Sequence, residues 1–333
     1  MAEVQTTTGA VPVVKTNLEI RDRLGAVMVR LGFHRQTYRV TPGLYAAGSP
    51  DQSSPVLASA NYKLSFDALR KELGGINAWI LVVNTFGINV WCAAGKGSFS
   101  AEEVANRIEE VSLGKVVVHR NIILPQLSAP GVAAHKVREF TGFTVKYGPV
   151  RAHDIRAYLN AGMRADGEMR RVYFPFVERL KLTPLEFRLV MQKFALPILV
   201  VLGILVMTTK GVAGWQMIGR FVVPVLGAFV LGTVFVPVLL PWIPFRSFVL
   251  KGTLVGIIWA VLVSLLYDGG RLWALGNVFL LPAVTALCSL SFTGATTYTS
   301  PSGVNKEIQL YARPAGIAVL CGLMLTVVSL FLK

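Results

Sequence analysis

The chain of 333 residues is 53% hydrophobic and only 15% charged, with a formal net charge of +15. About a quarter of an ordinary globular chain is charged, so the deficit, concentrated after Phe194, sets a membrane half against a soluble half. Three cysteines without a CxxC pair exclude a four-cysteine iron–sulfur cluster, a structural zinc site and a disulfide framework.

In chain order, residues 1–50 form an N-terminal extension that enters the soluble domain. They begin with "MAEVQTTTGAVPVV", which lacks the basic and apolar regions of a signal peptide. Residues 51–165 alternate apolar runs with helical patterns. The spacing predicts strands over 55–60, 78–84, 115–119 and 143–148. It predicts helices over 65–73, 100–111, 129–140 and 151–162. Ser100 and Glu103 stand in capping-box register. The alternation implies a Rossmann-like α/β domain with a parallel sheet, whose ligands sit beyond the carboxyl ends of the strands. Ser59 and Asn61 follow the first strand, and Asn84 to Gly97 follow the second. A segment containing Gln126 and Gly131 follows the third, and Gly148 with Pro149 follows the fourth. The second of these loops exceeds the usual 2–6 residues, which points to a functional loop carrying a short helix.

Residues 166–188 are a basic linker, and 189–333 are a transmembrane domain. Five apolar segments approach the length of about 20 residues that crosses a bilayer. They cover 189–209, 219–241, 247–267, 272–292 and 313–332. Arg164, Arg170, Arg171, Arg179, Lys181 and Arg188 precede the first and Lys193 lies at its start, before the apolar run from Phe194, which places the soluble domain in the cytoplasm and the C-terminus on the opposite side. The same clustering makes the positive charge a membrane-topology signal, and no nucleic-acid partner is expected. The segment 293–313 reads as a cytoplasmic loop. The span cores hold no acidic residue, which argues against an ion pathway.

Cys92 is the one cysteine outside the apolar runs. The surrounding residues do not form a phosphate loop, since Val90 and Gly97 stand where GxxxxGK[ST] needs glycine and a hydroxyl. His119 and His153 are the histidines nearest the same sheet edge, and a strand-end histidine is usually structural. A free cysteine is most often a small buried hydrophobe. Against that, Trp91 to Lys96 are helix-compatible, which places the Lys96 cation one turn after Cys92. Such a cation favours a thiolate, the metal-ligating form. Ala93 and Ala94 would offer a small-residue surface to a flat group. The spacing leaves inert filler, nucleophile and ligand open.

The segment "NVWCAAGK", Asn89 to Lys96, closely resembles the signature of the HgcA family, the membrane-anchored corrinoid proteins of microbial mercury methylation. Residues 60–70, 124–137, 147–155 and 293–307 are similar to other segments of that family. The resemblance implies a corrinoid-binding domain like that of the corrinoid iron–sulfur protein, with Cys92 as lower axial ligand to cobalt. It implies that Asn89, Val90, Trp91, Ala93, Ala94, Gly95 and Lys96 form a cap helix beneath the corrin. Ser59 and Asn61 are then expected near the ring or its tail, and Gln126, Gly131, Gly148 and Pro149 around the nucleotide tail. It further implies a methyltransferase that methylates Hg(II) through methyl-cobalt, with a ferredoxin-like iron–sulfur protein of the HgcB type as electron donor. A methylated folate-type system would supply the methyl group. The alternatives are a corrinoid methyl carrier of one-carbon metabolism with another acceptor, and a non-catalytic membrane-anchored corrinoid-binding protein.

Overall fold

A computed structural model of the protein describes residues 2–196, 199–200, 203, 218–292 and 297–329. The chain forms two units, one made of residues 1–29 and 33–172 and the other of 30–32 and 173–333.

The first unit is built on a five-stranded sheet. Its strands are β3 (Gly43–Ala47), β4 (Val56–Ala60), β5 (Ala78–Val83), β6 (Asn121–Leu124) and β7 (Thr144–Tyr147), in the order β3-β5-β4-β6-β7. A separate hairpin pairs β1 (Glu3–Thr6) with β2 (Gly9–Pro12). β4 and β5 are buried along their whole length, the pattern of central strands covered on both faces. One face carries Ala58, Trp79, Leu81 and Val83 against α3 (Val90–Lys96), α4 (Ala101–Glu110) and α6 (Ala134–Thr141). The other carries Leu57, Ile80 and Val82 against α2 (Lys63–Glu72) and α7 (Ile155–Asn160). Two helical layers therefore enclose one sheet.

Several expectations are corrected. The sheet is mixed, because β3 runs antiparallel to β5, with Gly43 opposite Val82. The strand expected over 115–119 is not one: Leu113–Val116 is a helical turn, α5, entered through Ser112 at φ 48°. That turn buries Leu113 and Val116, and the true strand lies five residues on at Asn121–Leu124. The helix expected over 129–140 starts only at Ala134, after a 3-10 turn at Gln126–Ser128. Helix α1 (Ile20–Arg30) lies within the stretch read only as an extension.

The second unit opens with α8 (Phe176–Val190) and, among the described residues, contains four helices long and apolar enough to cross a membrane. These are Gly219–Val238, Phe248–Leu266, Gly270–Ser291 and Ser302–Val328. Ten of the 21 residues of the expected span 189–209 lie outside the described residues, as do Lys333 and residues 293–296 of the expected loop. The rest of that loop is largely helical. Ser300 accepts the Gly303 N–H (3.2 Å) and Pro301 occupies the first turn, so the last helix starts at Pro301 and runs to Val328. Glu307 on it accepts from the Ser247 hydroxyl (3.0 Å) and from the N–H groups of Phe248 (3.2 Å) and Val249 (3.1 Å). Those amides are orphan donors at a helix start, where a carboxylate is favoured. At the other kind of end, Lys251 Nζ donates to the carbonyls of Leu240 (2.6 Å) and Ile243 (2.5 Å). Arg179 Nε donates to Val238 O (2.9 Å) and its guanidinium lies 5.3 Å from the Trp242 ring. Small residues bring the spans together: a Cβ on Gly256 would come within 2.4 Å of Pro282 Cα, and one on Gly252 within 2.6 Å of Ala286 Cα.

Candidate functional site

The sheet order creates a switch point. The chain leaves β4 for β5 on one side, then crosses to β6 on the other side of β4. Ligands of open α/β sheets bind beyond the carboxyl ends of the strands at such a crossing. A cavity of about 380 Å³ lies there. Leu57 to Ser59 of β4, Ile123 to Pro125 at the end of β6 and Gly148 to Val150 after β7 line it. So do Asn89, Val90 and Trp91 at the start of α3. The long loop after β5 thus carries the short helix its length implied.

Asn61 holds this loop. Its side-chain oxygen accepts from the Thr85 N–H (3.1 Å) and the Gly87 N–H (2.9 Å), with the Thr85 hydroxyl 2.9 Å away. Its Nδ2 donates to Asn84 Oδ1 (3.3 Å). Asn61 is 1% exposed and does not line the cavity. Asn61 therefore sits beneath the loop, where it orders the backbone that leads into α3. Thr85 completes the fastening by donating its hydroxyl to Ile88 O (2.7 Å). The Glu103 carboxylate accepts the Asn84 N–H (3.0 Å). Only half of the capping box forms as expected: Ser100 accepts the Glu103 N–H (3.2 Å), while Glu103 turns to the site loop and to Arg107 (3.1 Å). Thr85 and the diverted Glu103 were not readable from local spacing, because each acts through a tertiary pairing.

Helix α3 begins at an Asn89 N-cap, whose side chain accepts the Cys92 N–H (2.9 Å). It ends at Gly97 in the left-handed region, φ 79°. Val90, Ala93 and Ala94 are buried, while Trp91, Cys92, Gly95 and Lys96 are exposed. This corrects the surface expected of the two alanines. Ala93 and Ala94 pack into the core, and the outer face of α3 is Trp91, Cys92, Gly95 and Lys96. A Cβ on Gly95 would meet nothing within 4 Å, so the surface beside the thiol is open. Gly131 serves packing: a Cβ there would come within 2.6 Å of Phe99 O and 2.7 Å of Ala94 O. Its missing side chain lets the segment after β6 close against α3.

Among the remaining expected residues, Ser59, Gly148 and Pro149 line the cavity, and Gln126 and Gly131 do not. Ser59 is 2% exposed and donates to Ala60 O (3.2 Å), which leaves its oxygen free to accept. Gln126 Oε1 is buried without a protein partner, between two cavity-lining residues, Pro125 and Leu127. Such an orphan calls for an outside donor. A Cβ on Gly148 would stand 3.0 Å from Ile123 Cγ2, so glycine keeps the cavity floor clear.

His119 serves structure. Its Nδ1 accepts the Asn121 N–H (3.2 Å), so Nε2 carries the proton donated to Ser54 O (2.9 Å). His153 is exposed and lies 3.4 Å from Asp154. Among the described residues no three His, Cys, Asp or Glu side chains come together as a metal site. What the arrangement offers is one accessible sulfur donor on a rigidly seated helix, next to a largely apolar cavity.

The comparisons with known proteins fall on this same region. Residues 29–159 match the family described as CO dehydrogenase/acetyl-CoA synthase delta subunit. The chain is 34% identical over 127 residues to the acetyl-CoA decarbonylase/synthase complex subunit gamma of Archaeoglobus fulgidus, covering 38% of this chain and 27% of the relative. It is 30% identical over 147 residues to the subunit of the same name from Methanothermobacter thermautotrophicus, covering 43% and 32%. It is 32% identical over 127 residues to the corrinoid/iron-sulfur protein large subunit of Moorella thermoacetica, covering 38% and 28%. The matches span about 27–32% of each of these relatives' length. The four apolar helices lie outside the family match, and its likeness is to the corrinoid iron–sulfur proteins as a group rather than to the HgcA family in particular. The chain thus joins a domain similar to the corrinoid/iron-sulfur protein large subunit, over residues 29–159, to a helical region with four candidate membrane spans.

Proposed function

We propose that the first unit binds a corrinoid, with Cys92 as axial ligand to its cobalt, and acts as a methyl carrier held at a membrane. The observation that carries this reading is the accessible Cys92 thiol on the capped first turn of α3, beside the switch-point cavity. The residues fit the group. The cavity is at the small end of ligand sites, which suits an arm or tail of a corrinoid and leaves the macrocycle for the open side of α3. Ser59, which lines the cavity, would accept a hydrogen bond from that arm. Trp91 and the bare surface at Gly95 would lie against a flat ring. The corrinoid, when bound, supplies a cobalt centre that takes up and passes on a methyl group, while the protein sets its ligation and access. The chain has the cysteine for an axial ligand but no CxxC pair for a four-cysteine cluster. Electrons would therefore come from a separate iron–sulfur partner, and a methylated donor system would load the methyl group.

Two acceptors divide this reading. The corrinoid and acetyl-CoA names of the relatives favour a carrier of one-carbon metabolism. Asn89 to Lys96, with its likeness to the mercury-methylating family, favours Hg(II). Sulfur ligation by Cys92 would enrich the cobalt in electron density, which would suit methyl transfer to an electrophilic metal ion. The test loads purified full-length protein with corrinoid, methylates it, and offers Hg(II) or a thiol acceptor in parallel. Wild type transfers methyl to at least one acceptor, and transfer to Hg(II) falls at least a hundredfold in Cys92→Ala, roughly the weight of a lost metal ligand. Protein that binds no corrinoid, or a Cys92→Ala protein that transfers as wild type does, contradicts the proposal.

A further inference from the structure

Helix α1 (Ile20–Arg30) presents an apolar stripe that the proposed site does not use. Ile20, Leu24, Val27 and Met28 are 75%, 61%, 51% and 43% exposed. They stand at i, i+4, i+7 and i+8, one face of a helix. Exposed cations border them: Arg21, Arg23 and Arg30. The opposite face is pinned to the domain. Asp22 bonds to Lys63 Nζ (2.6 Å) and Arg70 Nη2 (2.7 Å), and both cations also hold Asp67 (2.7 Å each). Val29 is 1% exposed, and Gly25 faces the Tyr38 ring so closely that a Cβ would fall 2.4 Å from its hydroxyl. The stripe is thus turned outward by contacts on the other side of the helix.

We propose that α1 is an interfacial helix, by which the first unit lies on the anionic surface of the membrane that the same chain enters. An amphipathic helix of this kind binds through buried apolar area together with attraction of flanking Lys and Arg to anionic lipid. The apolar stripe supplies the first term and the arginines the second. The four apolar helices of the second unit hold the domain near a bilayer, so even modest interfacial affinity acts at high effective concentration.

The test uses the full chain in nanodiscs, with a benzophenone amino acid in place of Leu24 or Val27, or in place of the exposed Lys71 on α2 as reference. In membranes containing phosphatidylglycerol, Leu24 and Val27 form acyl-chain adducts and Lys71 does not. The yield falls about fivefold for each of Arg21→Gln, Arg23→Gln and Arg30→Gln, the weight of one cation near an anionic surface. Hydrogen exchange across β4 and β5 stays at the wild-type level in these variants, showing that the fold is kept. Stripe adducts no more frequent than those at Lys71, adducts that run to polypeptide instead of lipid, or yields indifferent to lipid charge would overturn the assignment.

Discussion

Asn61 is the residue on which the geometry of the site turns. One buried amide oxygen accepts two backbone N–H groups, of Thr85 and Gly87, from the loop that starts α3. Asn61→Ala leaves those donors without their partner, and each unsatisfied buried donor costs about 1–3 kcal/mol. The expected result is loss of roughly 2–4 kcal/mol from the first unit, less where water enters. Hydrogen exchange should rise through residues 84–89, while the central sheet stays protected. Asn61→Asp, which keeps the acceptor but sets an oxygen against Asn84 Oδ1 in place of the Nδ2 donor, should recover only part of the protection. Protection of 84–89 unchanged in Asn61→Ala would show that the loop is held by something else. The functional residues differ in how readable they were. Cys92 stood out as the soluble half's lone thiol, and Asn89 by its likeness to a known signature. Asn61 was readable as a site residue, but its action through the loop depends on a neighbouring strand end. Thr85 carried no local signal at all.

At the scale of elements, the same contrast holds for a physical reason. β4 and β5 are continuous apolar runs, and α4 opens on a capping serine, so pattern and structure agree. β3 is short and rich in small residues, and its strand state comes from antiparallel pairing with β5, a non-local fact. Residues 115–117 read as strand by their valines, yet the chain turns at Ser112 and spends Val116 on a helical turn. The long final helix runs through polar residues that looked like a loop, because Ser300 caps it and Glu307 is used by a neighbouring helix. Docking of α1 yields a prediction at this scale. Burial pushes the Asp22 carboxyl up, but hydrogen bonds from Lys63 and Arg70 and from the Glu19 amide outweigh that and hold it down at about 2, against an ordinary 3.8. A carboxyl held low in the folded state contributes stability that is present above its unfolded value and lost as pH falls through its folded one. Protection of α1 against hydrogen exchange is therefore expected to be constant above pH 3.8 and to fall as pH approaches about 2. In Asp22→Asn this step should be absent, and a step that survives the substitution would assign it to another carboxylate.

On the scale of the whole molecule, one chain combines a corrinoid-protein-like domain with apolar helices that its matched relatives' shared region does not include. The composition made that division readable, since charge is sparse after Phe194. The identity of the cofactor was beyond periodicity, because one cysteine on a seven-residue helix is compatible with several chemistries. The cobalt–sulfur bond is where the account is most exposed. Cobalt X-ray absorption on the corrinoid-loaded full-length protein measures it directly. The account predicts one sulfur neighbour in wild type, its replacement by nitrogen or oxygen in Cys92→Ala, and its retention in Cys288→Ala and Cys321→Ala. A wild-type spectrum with no sulfur at cobalt, or one unchanged by Cys92→Ala, would contradict it.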